Sequence, residues 1–126
     1  MRSCGGAFAA GVVSGIFSAF AAVALLSRMW AACDVGINAS ANALGLLLFT
    51  APLVMVAGGA SAALAFWLIV RTGKRWSVAA ACAGAACATL IAVWTAVAVE
   101  HNPGRDYPAP LCVDNIPPWW PDAIPI

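Results

Sequence analysis

The sequence predicts an all-α membrane protein: a bundle of three transmembrane helices with the amino terminus inside, the carboxy terminus outside, and a proline-rich extended tail on the outer face. Three observations predict it. Hydrophobic residues make up 63% of the chain and charged residues only 9%, against about 25% charged in an ordinary soluble domain. Three long stretches carry no charge at all. All but one of the eight prolines fall after Glu100, so composition divides the chain into a transmembrane domain, 1–100, and an extracytoplasmic Pro/Trp-rich tail, 101–126.

The first stretch is uncharged from Ser3 to Ser27, with an apolar centre from Ala7 to Leu26. A hydrocarbon core about 30 Å thick needs about 20 apolar residues rising about 1.5 Å each, which gives a span over about 6–28 closed by Arg28 and Trp30. A cleaved signal is the rival reading, because Trp30-Ala31-Ala32-Cys33 resembles a bacterial lipobox. Trp30 stands where that motif has leucine, Arg28 interrupts the approach, and the apolar run exceeds the about 7–15 residues of a signal core. A retained span is the preferred reading.

The second stretch, 43–70, ends at the basic cluster Arg71, Lys74 and Arg75. As one helix it would be about 42 Å long, more than a bilayer core takes up without strong tilt. Pro52 lacks an N–H and crowds the preceding turn, so the expectation is an early helical turn from about Ala43, a kink or break at Pro52, and a main span from Leu53 to Val70. The third stretch, 76–99, runs from Trp76 to Val99 and stops at Glu100.

Orientation follows from the basic residues, since Lys and Arg in short loops stay cytoplasmic. An inside amino terminus places Arg2, Arg71, Lys74 and Arg75 in the cytoplasm and only Arg28 and Arg105 outside. Every acidic residue, Asp34, Glu100, Asp106, Asp114 and Asp122, is then outside. Trp30, Trp67, Trp76 and Trp94 sit near span ends, where an indole keeps its ring in lipid and its N–H near water. The near-neutral balance, six basic against five acidic residues, supplies no field that would draw nucleic acid.

Lipid gives helices no hydrophobic reason to associate, so small residues that permit close backbone approach mark the contacts. At 100° per residue, Gly11, Gly15, Ser18 and Ala22 share a face opposite Val13, Phe17 and Phe20. Gly58, Ser61, Ala62 and Ala65 oppose Leu53, Val56 and Trp67. Ala81, Ala85, Ala88 and Ala92 oppose Leu90, Trp94 and Val97. The expectation is that these faces meet within one copy of the chain; the alternative is that the Gly11-Gly15 pair makes a homodimer.

Of the five cysteines, only Cys33 and Cys112 fall outside, where an oxidising compartment favours a disulfide tying the tail to the end of the first helix. Cys82 and Cys87 are about 140° out of phase on a helix and read as packing residues, and Cys4 as a plain thiol or an acylation site at the cytoplasmic edge. Nothing here has the spacing of a metal site, a cofactor loop or a catalytic motif. His101 beside Glu100 reads as a solvated boundary residue rather than a catalyst, so no enzyme is expected. Asn38-Ala39-Ser40 is a glycosylation sequon in form only. In the tail, Ile116-Pro117-Pro118-Trp119-Trp120-Pro121-Asp122 excludes a helix and predicts extended or polyproline-like chain. Trp119 and Trp120 would expose a large apolar area in water, so they either anchor the tail on its own bundle and the headgroups or dock a partner.

Two function classes survive. One is a structural, accessory or interaction subunit of a cell membrane, with the lipid bilayer and a membrane-protein partner or a second copy as its contacts. The other is an oligomeric small transport or permeation unit. Charge-free spans leave a hydrated path without a lining and favour the first. The alanine-rich helices and short loops suggest a bacterial inner membrane.

Overall fold

The computed structural model describes residues 2–34, 43–73, 77–101, 111–112 and 116–126. Lys74, Arg75, Trp76, the sequon at Asn38, Arg105, Asp106 and Asp114, all invoked above, lie outside the described residues. All the secondary structure described is helical: α1, Arg2–Cys33; α2, Ala43–Val70, whose Leu46–Thr50 segment is a π-helix; and α3, Ser77–His101. Each is long and apolar enough to cross a membrane.

Local chemistry sets the ends. α1 stops at Asp34, which takes a left-handed φ of 53°, a conformation Asp tolerates better than most side chains and one that cannot continue a helix. α2 stops through a tightening last turn in which the Thr72 N–H donates to the Ile69 carbonyl and the Gly73 N–H to the Val70 carbonyl. Gly73 then turns the chain with φ 64°, a value glycine adopts without steric cost.

The break considered at Pro52 does not occur; α2 runs on through it. The strain is taken up by the π turn immediately upstream, where the Ala51 N–H donates to the Leu46 carbonyl five residues back. Proline cannot donate, and its ring crowds the carbonyl four residues earlier. A widened turn over Leu46–Thr50 relieves that crowding while the helix stays continuous.

Contacts along the helices give an up-down-up order. A Cβ at Gly6 would meet Phe66, at Gly11 it would meet Ala63 and Gly59, and at Gly15 it would meet Met55 and Gly59. Rising numbers on α1 therefore face falling numbers on α2, so the two are antiparallel. α2 and α3 are antiparallel by the same test, with Gly84 against Ile69 and Glu100 against Thr50. Cys4, the Val70–Gly73 turn and Ser77 thus lie at one end of the bundle, and Cys33, Ala43 and His101 at the other.

Packing changes character between these ends. Toward the Cys4 end a glycine seam joins α1 to α2: a Cβ at Gly11 would lie 3.0 Å from the Gly59 carbonyl oxygen, and one at Gly59 would lie 2.8 Å from the Gly11 carbonyl oxygen. Backbones meet directly there, the contact small residues permit in lipid. Near the middle the fully buried Ser18 presses against Gly58, and its Oγ has no hydrogen-bond partner among the described residues. Toward the Cys33 end, larger side chains fill the space in a cluster of Leu26, Met29, Leu46, Val93 and Val97.

The buried face of α1 carries Gly11, Gly15, Ser18 and Ala22 and continues to Leu26, Met29 and Cys33. Val13, Phe17 and Phe20 are exposed. On α2 the buried positions are Leu46, Thr50, Val54, Gly58, Gly59 and Ala62. α3 departs further from expectation. Its buried stripe is Ala81, Ala85, Thr89, Val93, Val97 and His101, whereas Ala88 and Ala92 are half-buried and Val97, expected on the far side, is fully buried. Spacing of four residues drifts about 40° per step around a 3.6-residue helix, so the stripe winds from small residues at the glycine-seam end to larger ones where the helices are packed by bulk.

Candidate functional site

The chain's distinctive chemistry gathers at the Cys33 end, where residues 116–126 pack over the helices. Cys33 and Cys112 are disulfide-bonded, with Cα atoms 5.2 Å apart and a sequence separation of 79. The described part of the tail is not extended. Two successive turns form it: the Trp120 N–H donates to the Pro117 carbonyl at 2.9 Å, and the Ile124 N–H to the Pro121 carbonyl at 3.0 Å. Pro118 occupies the second position of the first turn, where the fixed φ of proline is already correct. Runs of proline favour extended chain only when nothing rewards folding; here the turns deliver the Trp120 indole to the bundle.

Trp120 and Ile126 pack against the Leu26, Met29, Leu46, Val93 and Val97 cluster, and Pro117 is fully buried. The Trp120 indole N–H donates to the Ile124 carbonyl at 2.7 Å and the Trp94 N–H, from α3, to the Pro125 carbonyl at 2.8 Å. Trp119 meets Trp120 edge to face, centroids 5.9 Å apart, and carries the Arg28 guanidinium over its ring at 5.3 Å from the centroid, a cation–π contact. The result is a strap held by one covalent bond, two indole-to-carbonyl bonds and buried apolar side chains. Its outward surface presents Leu111, Ile116, Trp119 and Ile124, all exposed. The sequence places Trp94 near a span end; its bond to Pro125 has no sequence signal, since backbone acceptors are not written in side chains.

His101 is a correction. Expected as a solvated boundary residue, it is 3% exposed, because α3 continues one residue past Glu100 and the four-residue stripe carries His101 inward. Trp30, expected to keep its N–H near water, has a buried Nε1 without a partner among the described residues. Cys4, Cys82 and Cys87 are exposed thiols. Among the described residues no three His, Cys, Asp or Glu side chains lie together as a metal site.

A second feature lies on the flank of the bundle. Between α2 and α3 runs a groove of about 550 Å³, floored by small side chains such as Ala57, Ser61, Ala88, Ala92 and Ala96. At its Cys33 end stand Thr50, buried, and Glu100, half-buried; the Thr50 hydroxyl donates to Glu100 Oε1 at 3.4 Å. The other helix hydroxyls in or near the groove satisfy themselves on their own backbone, Ser61 on the Gly58 carbonyl and Thr95 on the Ile91 carbonyl. Gly58 and Ala85, expected as packing positions, are buried; Ala88, expected likewise, is half-buried and lines this groove. No protein-family model, curated protein or solved structure matches the chain.

Proposed function

We propose that this chain is a small multi-pass protein of a cell membrane, in a bacterial inner membrane, acting as a structural or accessory subunit that presents its strap to a membrane-protein partner. The amino terminus and the Arg71 end are cytoplasmic and the strap lies on the opposite face. The observation that carries the reading is how the strap is tied to the bundle. Leu111, Ile116, Trp119 and Ile124 are exposed on a segment fixed by the Cys33–Cys112 bond and by the Trp94 and Trp120 hydrogen bonds. Aromatic anchors on a preorganised surface lose little entropy on docking, which is how a small patch supports specific binding.

The test is co-purification in mild detergent from cross-linked membranes, comparing wild type with Trp119→Ala. The reading expects a defined partner that Trp119→Ala reduces several-fold while the disulfide and helix content are unchanged. Solute or ion flux from the purified chain in liposomes, with no partner retained, would overturn it in favour of a permeation unit.

A further inference from the structure

The groove between α2 and α3 ends at a carboxylate, and that pairing identifies an occupant. Glu100 is the only acidic residue in the three helices. A half-buried carboxylate offers about four acceptor sites, and Thr50 supplies one neutral donor to it at 3.4 Å. Burial of charge is costly unless an opposite charge with hydrogen-bond donors accompanies it. The described helices carry two arginines and no lysine: Arg2 is at the Cys4 end and Arg28 lies over the Trp119 ring.

Below Glu100 the groove is apolar. From Thr50 to Ser61, both of which line it, the helix rises about 16 Å, close to half of a hydrocarbon core about 30 Å thick. Its volume of about 550 Å³ lies within the about 300–1,000 Å³ of sites that hold small ligands. The groove therefore has the length of one leaflet, the width that alanines leave, and an anionic group at headgroup depth.

We infer that this groove holds one acyl chain of a membrane lipid whose headgroup carries a primary ammonium, with Glu100 accepting hydrogen bonds from that ammonium. A second copy of the chain fits less well, because most exposed helix positions are apolar, Leu47, Phe49, Phe8 and Phe17 among them, and the exposed Arg28 is already taken up by the Trp119 ring. The inference rests on the membrane-embedded reading of the bundle, not on its orientation or on the accessory role.

The whole chain, shown to resist carbonate extraction from membranes, is purified in mild detergent and titrated with phosphatidylethanolamine or phosphatidylglycerol of identical acyl chains. Bound lipid is counted by native mass spectrometry. Wild type retains the ethanolamine lipid about tenfold more tightly, the scale of a charge-assisted hydrogen bond. Glu100→Gln brings the two lipids within about twofold of each other while acyl binding persists. Ala57→Phe, at an exposed position that lines the groove, removes retention of both, with helix content and the disulfide intact. Equal retention by wild type, a preference that survives Glu100→Gln, or lipid binding unchanged in Ala57→Phe would overturn the inference. So would a dimer that Ala57→Phe dissociates with no lipid bound. Release of the chain by carbonate would overturn the membrane reading itself, a separate and recognisable failure.

Discussion

Replacing Gly15 by alanine adds a single methyl group to the middle of the α1–α2 seam. That carbon would sit 2.6 Å from the Met55 carbonyl oxygen, 3.3 Å from Gly59 Cα and 3.4 Å from Met55 Cγ. The first contact is with backbone and cannot be relieved by rotating a side chain, so the helices must separate there by roughly 1 Å to reach ordinary carbon contact distances of about 3.5–4.0 Å. A gap of that size forfeits about a quarter to a half of the dispersion well for each displaced pair, and the adjoining Gly11–Gly59 contact opens with it. Overpacking of this kind costs about 1–3 kcal/mol. Alanine also favours helix over glycine by about 1 kcal/mol, which makes matched controls necessary. Gly5 and Gly45 provide them, since a Cβ at either meets nothing within 4 Å. Unfolding in mixed dodecylmaltoside and dodecyl sulfate micelles, followed by tryptophan fluorescence, should place Gly15→Ala about 1–3 kcal/mol below Gly5→Ala and Gly45→Ala. Equal stabilities for all three variants would refute the seam. Stability unchanged in Gly15→Leu, together with loss of a cross-linked dimer, would move the seam to an interface between copies.

Three further outcomes follow from the packing. Cys112→Ser should remove a reduction-dependent shift in gel mobility and destabilise the chain by up to about 4.5 kcal/mol, the loop-closure value for a sequence separation of 79, and by less where inserted helices already restrict the unfolded state. Trp94→Phe keeps the ring but removes the donor to Pro125; it should cost about 1 kcal/mol and speed protease cleavage after Pro121 several-fold. Unchanged cleavage would mean that the strap does not depend on that bond. Gly58→Ala should destabilise wild type by about 1–3 kcal/mol, because its Cβ would lie 2.8 Å from Ser18 Cβ. In a Ser18→Gly background most of that penalty should vanish in a double-mutant cycle, and full additivity would show that Ser18 and Gly58 do not touch.

The helices were legible in the sequence because length and charge-free composition are all a membrane span requires. The face of α1 was legible as well, since Gly11, Gly15, Ser18 and Ala22 recur at a helical period against bulky Phe17 and Phe20, and the structure buries the first four and exposes the last two. α3 was legible only in part, at the buried Ala81 and Ala85 and the exposed Leu90 and Trp94, because alanines occur all around it. With Ala81, Ala83, Ala85, Ala86, Ala88 and Ala92 all small, size cannot select the buried stripe, and it is the neighbours that place Thr89, Val93 and Val97 inward. Gly59 rather than Gly58 makes the closer approach to α1 backbone, a distinction that two adjacent glycines do not carry in their sequence. Pro52 announced a disturbance, but not its form, since a π turn depends on which carbonyls the neighbouring turn can spare. In the tail, cysteine count and compartment selected Cys33 and Cys112. The turns that bring Trp120 and Ile126 onto the bundle rest on backbone bonds that composition does not encode, and proline content alone argued for extended chain.

The central claim is a three-span bundle whose Cys4 end and strap lie on opposite faces of the membrane. Labelling with a membrane-impermeant maleimide tests it directly, using the native Cys4 and an introduced Asp122→Cys in a Cys82→Ala, Cys87→Ala background, both probes being at exposed positions. Labelling of position 122 in intact cells, with Cys4 reacting only after the membrane is permeabilised, is the predicted result. Labelling of both positions from the same side, or of Cys4 alone in intact cells, would contradict the account.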